Sequence, residues 1–210
     1  MENLTIDWNT IKCVVLDLGG VLIDIDYQAT EDAFVTLGLV DFKERYSQLQ
    51  QTTLFDDYEK GQISAQHFIN KVLDFCPQGT SANKVVSAWN AMLGEFPVEK
   101  IELLERLKNR FPLYMLSNTN DLHIVGVNAA WKRATTKEMS AFFNGIFLSF
   151  EIGKRKPDAE TFLWTAKQTG FTPDEILFVD DSPQHIKGAQ SIGMQTFYYK
   201  DAASFYQLFS

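Results

Sequence analysis

Five short apolar runs, separated by stretches of helical periodicity, constrain this chain most. Ile11 to Leu16 is apolar and rich in β-branched residues, and it is bounded by a charge and two glycines, as expected of a strand buried on both faces. Comparable runs recur at Leu113 to Leu116, Ile146 to Phe150, Ile176 to Val179 and Gln195 to Tyr199. Between them lie helical patterns: Val98, Ile101, Leu104 and Leu107 behind Pro97; Phe162, Leu163 and Ala166 behind Pro157; Ile186, Ala189 and Ile192 behind Ser182-Pro183. Proline in the first turn and Gly170 or Gly193 beyond the last mark where such helices begin and stop. Strands alternating with helices imply an α/β fold in which helices cover both faces of a parallel sheet.

Residues 27–96 break the alternation, with helical patterns and no convincing strand. Ala29, Ala33, Phe34 and Leu37 share one helical face ending at Gly38; Phe68, Ile69, Val72 and Leu73 follow Ser64; Val85, Val86, Trp89 and Leu93 follow Ser81. Serine is a preferred residue immediately before a helix. An all-helical insertion directly after the first strand reads as a cap. Asp121 to Ala141 is less regular and reads as either a second lid or a surface excursion.

At 210 residues, 45% apolar and 22% charged, the composition is that of a globular protein with room for one domain and a smaller insert. A formal net charge of -8 leaves no basic face for a phosphate backbone, which argues against nucleic-acid binding through counterion release. Met1 to Trp8 has neither the basic nor the apolar segment of an export signal, and no apolar stretch is long enough to span a bilayer. The expectation is a cytoplasmic protein with no membrane partner. Cys13 and Cys76 are too far apart to suggest a metal cluster or a disulfide framework and read as packing residues. His67, His123 and His185 lack metal-ligand spacing and read as surface or satisfied polar groups. Trp89, Trp131 and Trp164 read as filling for the core or the cap interface.

In open α/β sheets, ligands bind outside the carboxyl ends of the strands. Asp17 ends the first apolar run, Ser117-Asn118 follows the second and Asp180-Asp181 follows the fourth. Each alone is ordinary turn chemistry; three together at one sheet edge are a candidate site. Adjacent acids converging with a third carboxylate repel unless a cation compensates. Oxygen ligands without nearby His or Cys suit Mg²⁺, which commonly keeps positions open for water and substrate phosphate. Lys154-Arg155-Lys156 precedes Pro157-Asp158 and the start of a helix, and beside an anion-binding edge Lys156 is the cation expected to reach the phosphate.

The ordered set Asp17-Leu18-Gly19-Gly20-Val21, Leu116-Ser117-Asn118-Thr119, Lys156-Pro157-Asp158 and Asp180-Asp181 resembles the four motifs of the haloacid dehalogenase superfamily. The stretches from Leu16 to Asp26 and from Leu116 to Asn120 look most like its α-D-glucose-1-phosphate phosphatase group. The resemblance implies a three-layer Rossmann-like core, residues 1–26 and 97–210, with a C1-type helical cap, residues 27–96. It also implies a Mg²⁺-dependent phosphatase of small phosphorylated metabolites. Asp17 would be the nucleophile that becomes an aspartyl-phosphate, Ser117 and Asn118 would bind the phosphoryl oxygens, and Lys156 would neutralise the growing charge. Asp17, Asp181 and the backbone carbonyl of Gly19 would hold Mg²⁺, with Asp180 supporting.

One position departs from the pattern. Phosphatases of the superfamily usually carry a second Asp two residues after the nucleophile, and this chain has Gly19, which cannot transfer a proton. A sugar 1-phosphate, whose anomeric oxygen is a better leaving group than an ordinary alcohol, would need that proton less. Otherwise the acid comes from elsewhere, with Asp24, Asp26, Asp56, Asp57 and His67 as candidates, each of which also reads as a solvated or capping residue. Two other readings stand beside the phosphatase: a metal-independent haloacid dehalogenase, and a phosphate-binding or interaction protein without turnover.

Overall fold

In the computed structural model, residues 5–44 and 53–210 are described. Met1 to Leu4, half of the stretch read above for an export signal, lie outside them, as do residues 45–52 of the helical insertion. Five parallel strands form one sheet in the order β3-β2-β1-β4-β5, with β1 Cys13–Leu16, β2 Leu113–Ser117, β3 Gly145–Leu148, β4 Ile176–Asp180 and β5 Gln195–Tyr198. Each matches an apolar run of the sequence. The first strand sits at the centre because it pairs with β2 and β4 on its two sides.

Strand side chains alternate between the two faces, and both are apolar. Val14, Leu16, Leu177 and Val179 face the helices Val98–Leu107, Asp121–Ala134 and Ala202–Leu208, meeting Leu104, Leu107, Trp131 and Phe205. Cys13, Val15, Ile176 and Phe178 face the helices Ala159–Thr169 and Pro183–Gln190, meeting Phe162, Ala166, Ile186 and Ala189. Among the described residues, no helix is long and apolar enough to cross a membrane.

Two expectations need correction. The third strand stops at Leu148, and Ser149–Ile152 is a short helix. Its neighbour β2 ends at Ser117, paired to Leu148. Beyond that point the Ser149 hydroxyl binds the departing chain instead, accepting from Thr119 N at 2.9 Å and donating to Thr119 O at 3.0 Å. The segment expected to be a lid or excursion contains the regular helix Asp121–Ala134, the crossover from β2 to β3. An exposed Val125 and the mid-helix Gly126 obscure its periodicity in the sequence. Gly126 is where Leu93 packs against the helix, and a Cβ would stand 2.6 Å from Leu93 Cδ1.

The described part of residues 27–96 holds the helices Tyr27–Thr36, Leu54–Glu59, Ala65–Leu73 and Ala82–Trp89. Asp26, Ser64 and Ser81 cap three of them with side-chain oxygens that accept backbone N–H groups. The six-residue helix Leu54–Glu59 is too short to show a pattern, though it buries Leu54 and Tyr58 one turn apart. These helices share an apolar cluster of their own, including Phe34, Tyr58, Phe68, Val72, Val85 and Trp89. The chain enters and leaves this segment side by side: Gly94 N donates to Asp24 O at 2.9 Å and Asp26 N to Met92 O at 2.9 Å.

Thr30 fastens the first of these helices to the end of the last. Its buried hydroxyl donates to Trp89 O at 3.3 Å and accepts from Met92 N at 3.1 Å. Thr30→Val keeps the shape and leaves that amide without a partner, so a loss of about 1–3 kcal/mol is expected in urea denaturation. No change in midpoint would show that the bond contributes nothing.

Candidate active site

The sheet order brings three polar strand ends together. Asp17 follows β1, Ser117 ends β2, and Asp180 and Asp181 close β4, with β1 lying between the other two. Asp17 N donates to Val179 O at 2.9 Å, which sets the two acidic ends level. One ligand oxygen each from Asp17, Asp180 and Asp181 lies within 4.8 Å of the others.

Lys156 comes to this edge from the loop before the helix Ala159–Thr169. Its Nζ lies 2.7 Å from Asp17 Oδ1 and 2.6 Å from Asp180 Oδ2, with its side chain 0% exposed. Asn118 fixes the backbone there: Lys156 N donates to Asn118 Oδ1 at 2.9 Å, and Asn118 Nδ2 donates to Lys156 O at 2.8 Å. One of the two Asn118 amide protons is therefore engaged in holding the lysine. Lys154 pairs with Glu160. Arg155 pairs with Asp56 at 2.5 Å and with Glu59 at 2.8 Å on the helix Leu54–Glu59.

The two neighbouring acids at the end of β4 have different surroundings. Asp180 is fully buried; beside Lys156, its Oδ1 accepts from Ser182 N at 2.8 Å, and His185 Nδ1 lies 2.9 Å away. Asp181 lines the open cavity together with Asp17 and Gly19. Its carboxylate rests against Gly20, whose φ of 75° and lack of a side chain are both required, because a Cβ there would overlap Asp181 Oδ2. Of the two glycines after Asp17, Gly20 is thus the one the geometry demands.

Electrostatics follow from that packing. Burial, together with the nearby charges of Asp180 and Asp181, raises the Asp17 pKa to about 7 against the opposing pull of Lys156. Burial and the charge of Asp180 also raise Asp181. For Asp180, burial is outweighed by Lys156 and His185, which hold its carboxyl below the usual range. The two acid partners outweigh burial for Lys156 and raise its pKa. With all three carboxylates ionised, one ammonium leaves two negative charges at the edge, a surplus that matches a divalent cation, and the raised pKa values of Asp17 and Asp181 express its cost.

Above the edge is a cavity of about 590 Å³, walled by Asp17, Ser117, Asn118, Lys156 and Asp181 below and by Phe55, Asp56, Glu59 and Trp89 of the helical segment above. Such a volume lies in the range of small-molecule sites, roughly 300–1,000 Å³. His123 also lines it, stacked on Trp89 at 5.1 Å and 11°, with burial lowering its pKa to about 4. Of the acid candidates named from the sequence, Asp56 alone reaches this cavity. Asp24 pairs with Lys100 at 3.3 Å, Asp26 caps its helix and Asp57 accepts from Thr53. His123 and His185, which read from the sequence as surface or satisfied polar groups, line this cavity, as does Glu59, which the sequence reading does not single out. His185 stands five residues after Asp180 on the first turn of the next helix, a spacing that would have shown its reach.

The family model of haloacid dehalogenase-like hydrolases matches residues 11–193. A D-ribitol-5-phosphate phosphatase of Bacteroides thetaiotaomicron is 30% identical over 197 residues, covering 94% of this chain and 96% of that protein. Among solved structures, a haloacid dehalogenase family enzyme of the same organism superposes with a TM-score of 0.89 at 32% identity, over 95% of this chain and 98% of its own. The crystal structure of the wild-type form of that enzyme in complex with magnesium and inorganic phosphate gives a TM-score of 0.86 at 31% identity, over 95% and 100% of the two chains. The chain belongs to the haloacid dehalogenase-like hydrolases. None of these relatives is described as acting on glucose 1-phosphate, so that narrower resemblance stays an expectation.

Removing the lysine tests the charge balance. Lys156→Met strips the buried carboxylates of their partner and should cost about 3–5 kcal/mol at neutral pH. Without the lysine the Asp17 pKa rises above about 7, so the variant binds a proton there that the wild type lacks, and the deficit should shrink as the pH falls from about 9 to about 7. Urea denaturation at both pH values reads this; an equal loss at each would mean that Asp17 charge is not what Lys156 compensates.

Proposed function

We propose that this hydrolase is a Mg²⁺-dependent phosphomonoesterase of small phosphorylated metabolites, sugar and polyol phosphates foremost, acting through an aspartyl-phosphate on Asp17. The observation that carries the reading is the cluster of Asp17, Asp180 and Asp181 beside Lys156 at the floor of the cavity. The magnesium and phosphate bound by the similar enzyme of Bacteroides thetaiotaomicron support it, as does the D-ribitol-5-phosphate phosphatase relative.

The donor set fits magnesium in chemistry and charge: oxygen ligands, with two negative charges in surplus. Asp17, Asp181 and the Gly19 carbonyl would hold the ion, since all three residues line the cavity, with Asp180 behind them. When bound, it supplies charge neutralisation for the phosphoryl oxygens.

Lys156 binds one oxygen of Asp17, and no described residue makes a hydrogen bond to the other. That oxygen attacks phosphorus while Lys156, the Ser117 hydroxyl and the remaining Asn118 amide proton receive the equatorial oxygens. The bond from phosphorus to the leaving oxygen breaks, and that oxygen takes up a proton. Water then attacks the phosphorus of the aspartyl-phosphate, releasing inorganic phosphate and returning Asp17 to its carboxylate.

The leaving oxygen has little help from the protein. Gly19 has no proton to give, and Asp56 is already paired to Arg155. An acidic leaving group such as the anomeric oxygen of a sugar 1-phosphate lowers that demand. Residues 27–96 act as the cap over a core of residues 1–26 and 97–210, a division supported by the separate apolar cluster and the paired entry and exit of the chain. The same reading has the enzyme work in the cytoplasm, and the acidic charge supports a small-molecule partner over a nucleic acid. Asp180 and Asp181 beside Asp17 favour this reading over the metal-free dehalogenase.

Asp17→Asn should lower p-nitrophenyl phosphate turnover with Mg²⁺ by about a thousandfold or more while circular dichroism stays native. Turnover matching the wild type would sink the proposal. Protons and cation compete for Asp17, whose pKa is about 7, so Mg²⁺ should raise Tm more at about pH 8 than at about pH 5.5. Equal shifts at both would remove Asp17 from the ligand set.

A further inference from the structure

The cavity holds more carboxylates than cations, and its cations are engaged. Among the described residues, Asp17, Asp56, Glu59 and Asp181 line it against Arg155 and Lys156. Lys156 belongs to the acids of the sheet edge. Arg155, one peptide bond earlier, belongs to the helix Leu54–Glu59: its Nη1 lies 2.5 Å from Asp56 Oδ1 and its Nη2 2.8 Å from Glu59 Oε2. The third guanidinium donor, Nε, is buried with no acceptor among the described residues.

Asp56 and Glu59 stand three residues apart on one helix, so their like charges are neighbours on one face. A single guanidinium bridges them and, with both acids ionised, leaves one negative charge over; burial raises the Glu59 pKa against the pull of Arg155, so the surplus resides chiefly on the more exposed Asp56. The Asp56 side chain is 52% exposed, so its carboxylate can accept hydrogen bonds from hydroxyl groups of a molecule in the cavity. A second anion on that molecule would meet the surplus charge and find no unengaged cation among the described lining residues.

We propose that Asp56, Glu59 and Arg155 form a charge filter that admits phosphate monoesters with an uncharged, hydroxylated leaving group and rejects phosphocarboxylates and bisphosphates. The filter rests on the phosphatase reading and names its substrate class. The paired acids turn an arginine that would otherwise attract anionic substrates into a neutralised part of the wall. These three are specificity residues, placed by charge around the leaving group rather than around phosphorus.

Glycerol 3-phosphate and 3-phosphoglycerate make a matched pair of probes: both release a primary alcohol, and they differ by a hydroxymethyl group against a carboxylate. With Mg²⁺, the wild type should prefer glycerol 3-phosphate in kcat/KM by about a hundredfold. Asp56→Asn should cut that preference by about tenfold, and Asp56→Asn with Glu59→Gln should cut it further by releasing Arg155 to grip the carboxylate. Three results overturn the filter and leave the phosphatase standing: no turnover of glycerol 3-phosphate by a wild type that cleaves p-nitrophenyl phosphate, cleavage of both probes by the wild type within a factor of about three, or an unchanged preference in a natively folded Asp56→Asn. The wild-type ratio needs no variant, so it decides even where a variant fails to fold. Absence of wild-type turnover on p-nitrophenyl phosphate would instead overturn the phosphatase reading, and the filter with it.

Discussion

The ammonium of Lys156, enclosed between Asp17 and Asp180, is the interaction on which the sheet edge depends. A buried charge is tolerated only when it is paired and its remaining hydrogen-bonding capacity is met. The surrounding contacts serve that condition. Asn118 clamps the lysine backbone on both its N–H and its carbonyl, and Ser182 and His185 complete the shell of Asp180. With Asp180 satisfied from every side, Asp17 and Asp181 are left carrying the surplus charge toward the cavity. An edge of this kind keeps like charges close at the expense of stability, which is where a binding site differs from an ordinary strand end.

The parallel sheet makes such an arrangement attainable with few residues. Because β1 is flanked by β2 and β4, the residues that follow three apolar runs arrive side by side without any loop having to carry them. Only Lys156 must be delivered from elsewhere, and its loop is tied down by Asn118 and by Thr161 Oγ1, which donates to Arg155 O at 2.7 Å. Rigid strands hold the acids while a fixed loop supplies the cation, so the charges are placed before any ligand arrives.

Legibility in the sequence follows from the range of each interaction. The strands and the helices over both sheet faces were readable because burial imposes a period on neighbouring residues, and Asp17, Lys156, Asp180 and Asp181 were readable as polar residues where those periods end. The helix Asp121–Ala134 was not, since the glycine at 126 that lets Leu93 approach also interrupts the pattern. Nor was the helix Leu54–Glu59, whose two buried residues make no statistical case. The contacts that finish the site join residues far apart in the chain: Arg155 to Asp56 across 99 positions and Lys156 to Asn118 across 38. No local spacing encodes such pairs, and they emerge only when the sheet has brought its loops together. His185 is the exception, a short-range contact that a test for metal-ligand spacing could not detect.

Arg155 and Lys156 show how one loop serves both walls of the cavity. Two adjacent cations in an irregular stretch would ordinarily point into solvent, each weakly paired. In this fold they diverge: one side chain goes down to the carboxylates of the sheet edge and the other up to those of the helical segment, so each cation has two acids to itself. The same backbone therefore registers the position of both walls. Moving the helix Leu54–Glu59 away from the core would expose the Arg155 guanidinium and leave Asp56 and Glu59 facing one another, whereas the Lys156 contacts would be untouched. The charge that prepares the phosphate end is thus independent of where the helical segment stands, and the charge around the leaving group is not. Placing binding energy for the constant part of a substrate in a rigid sheet edge, and discrimination of its variable part in a docked helix, lets the second change without disturbing the first.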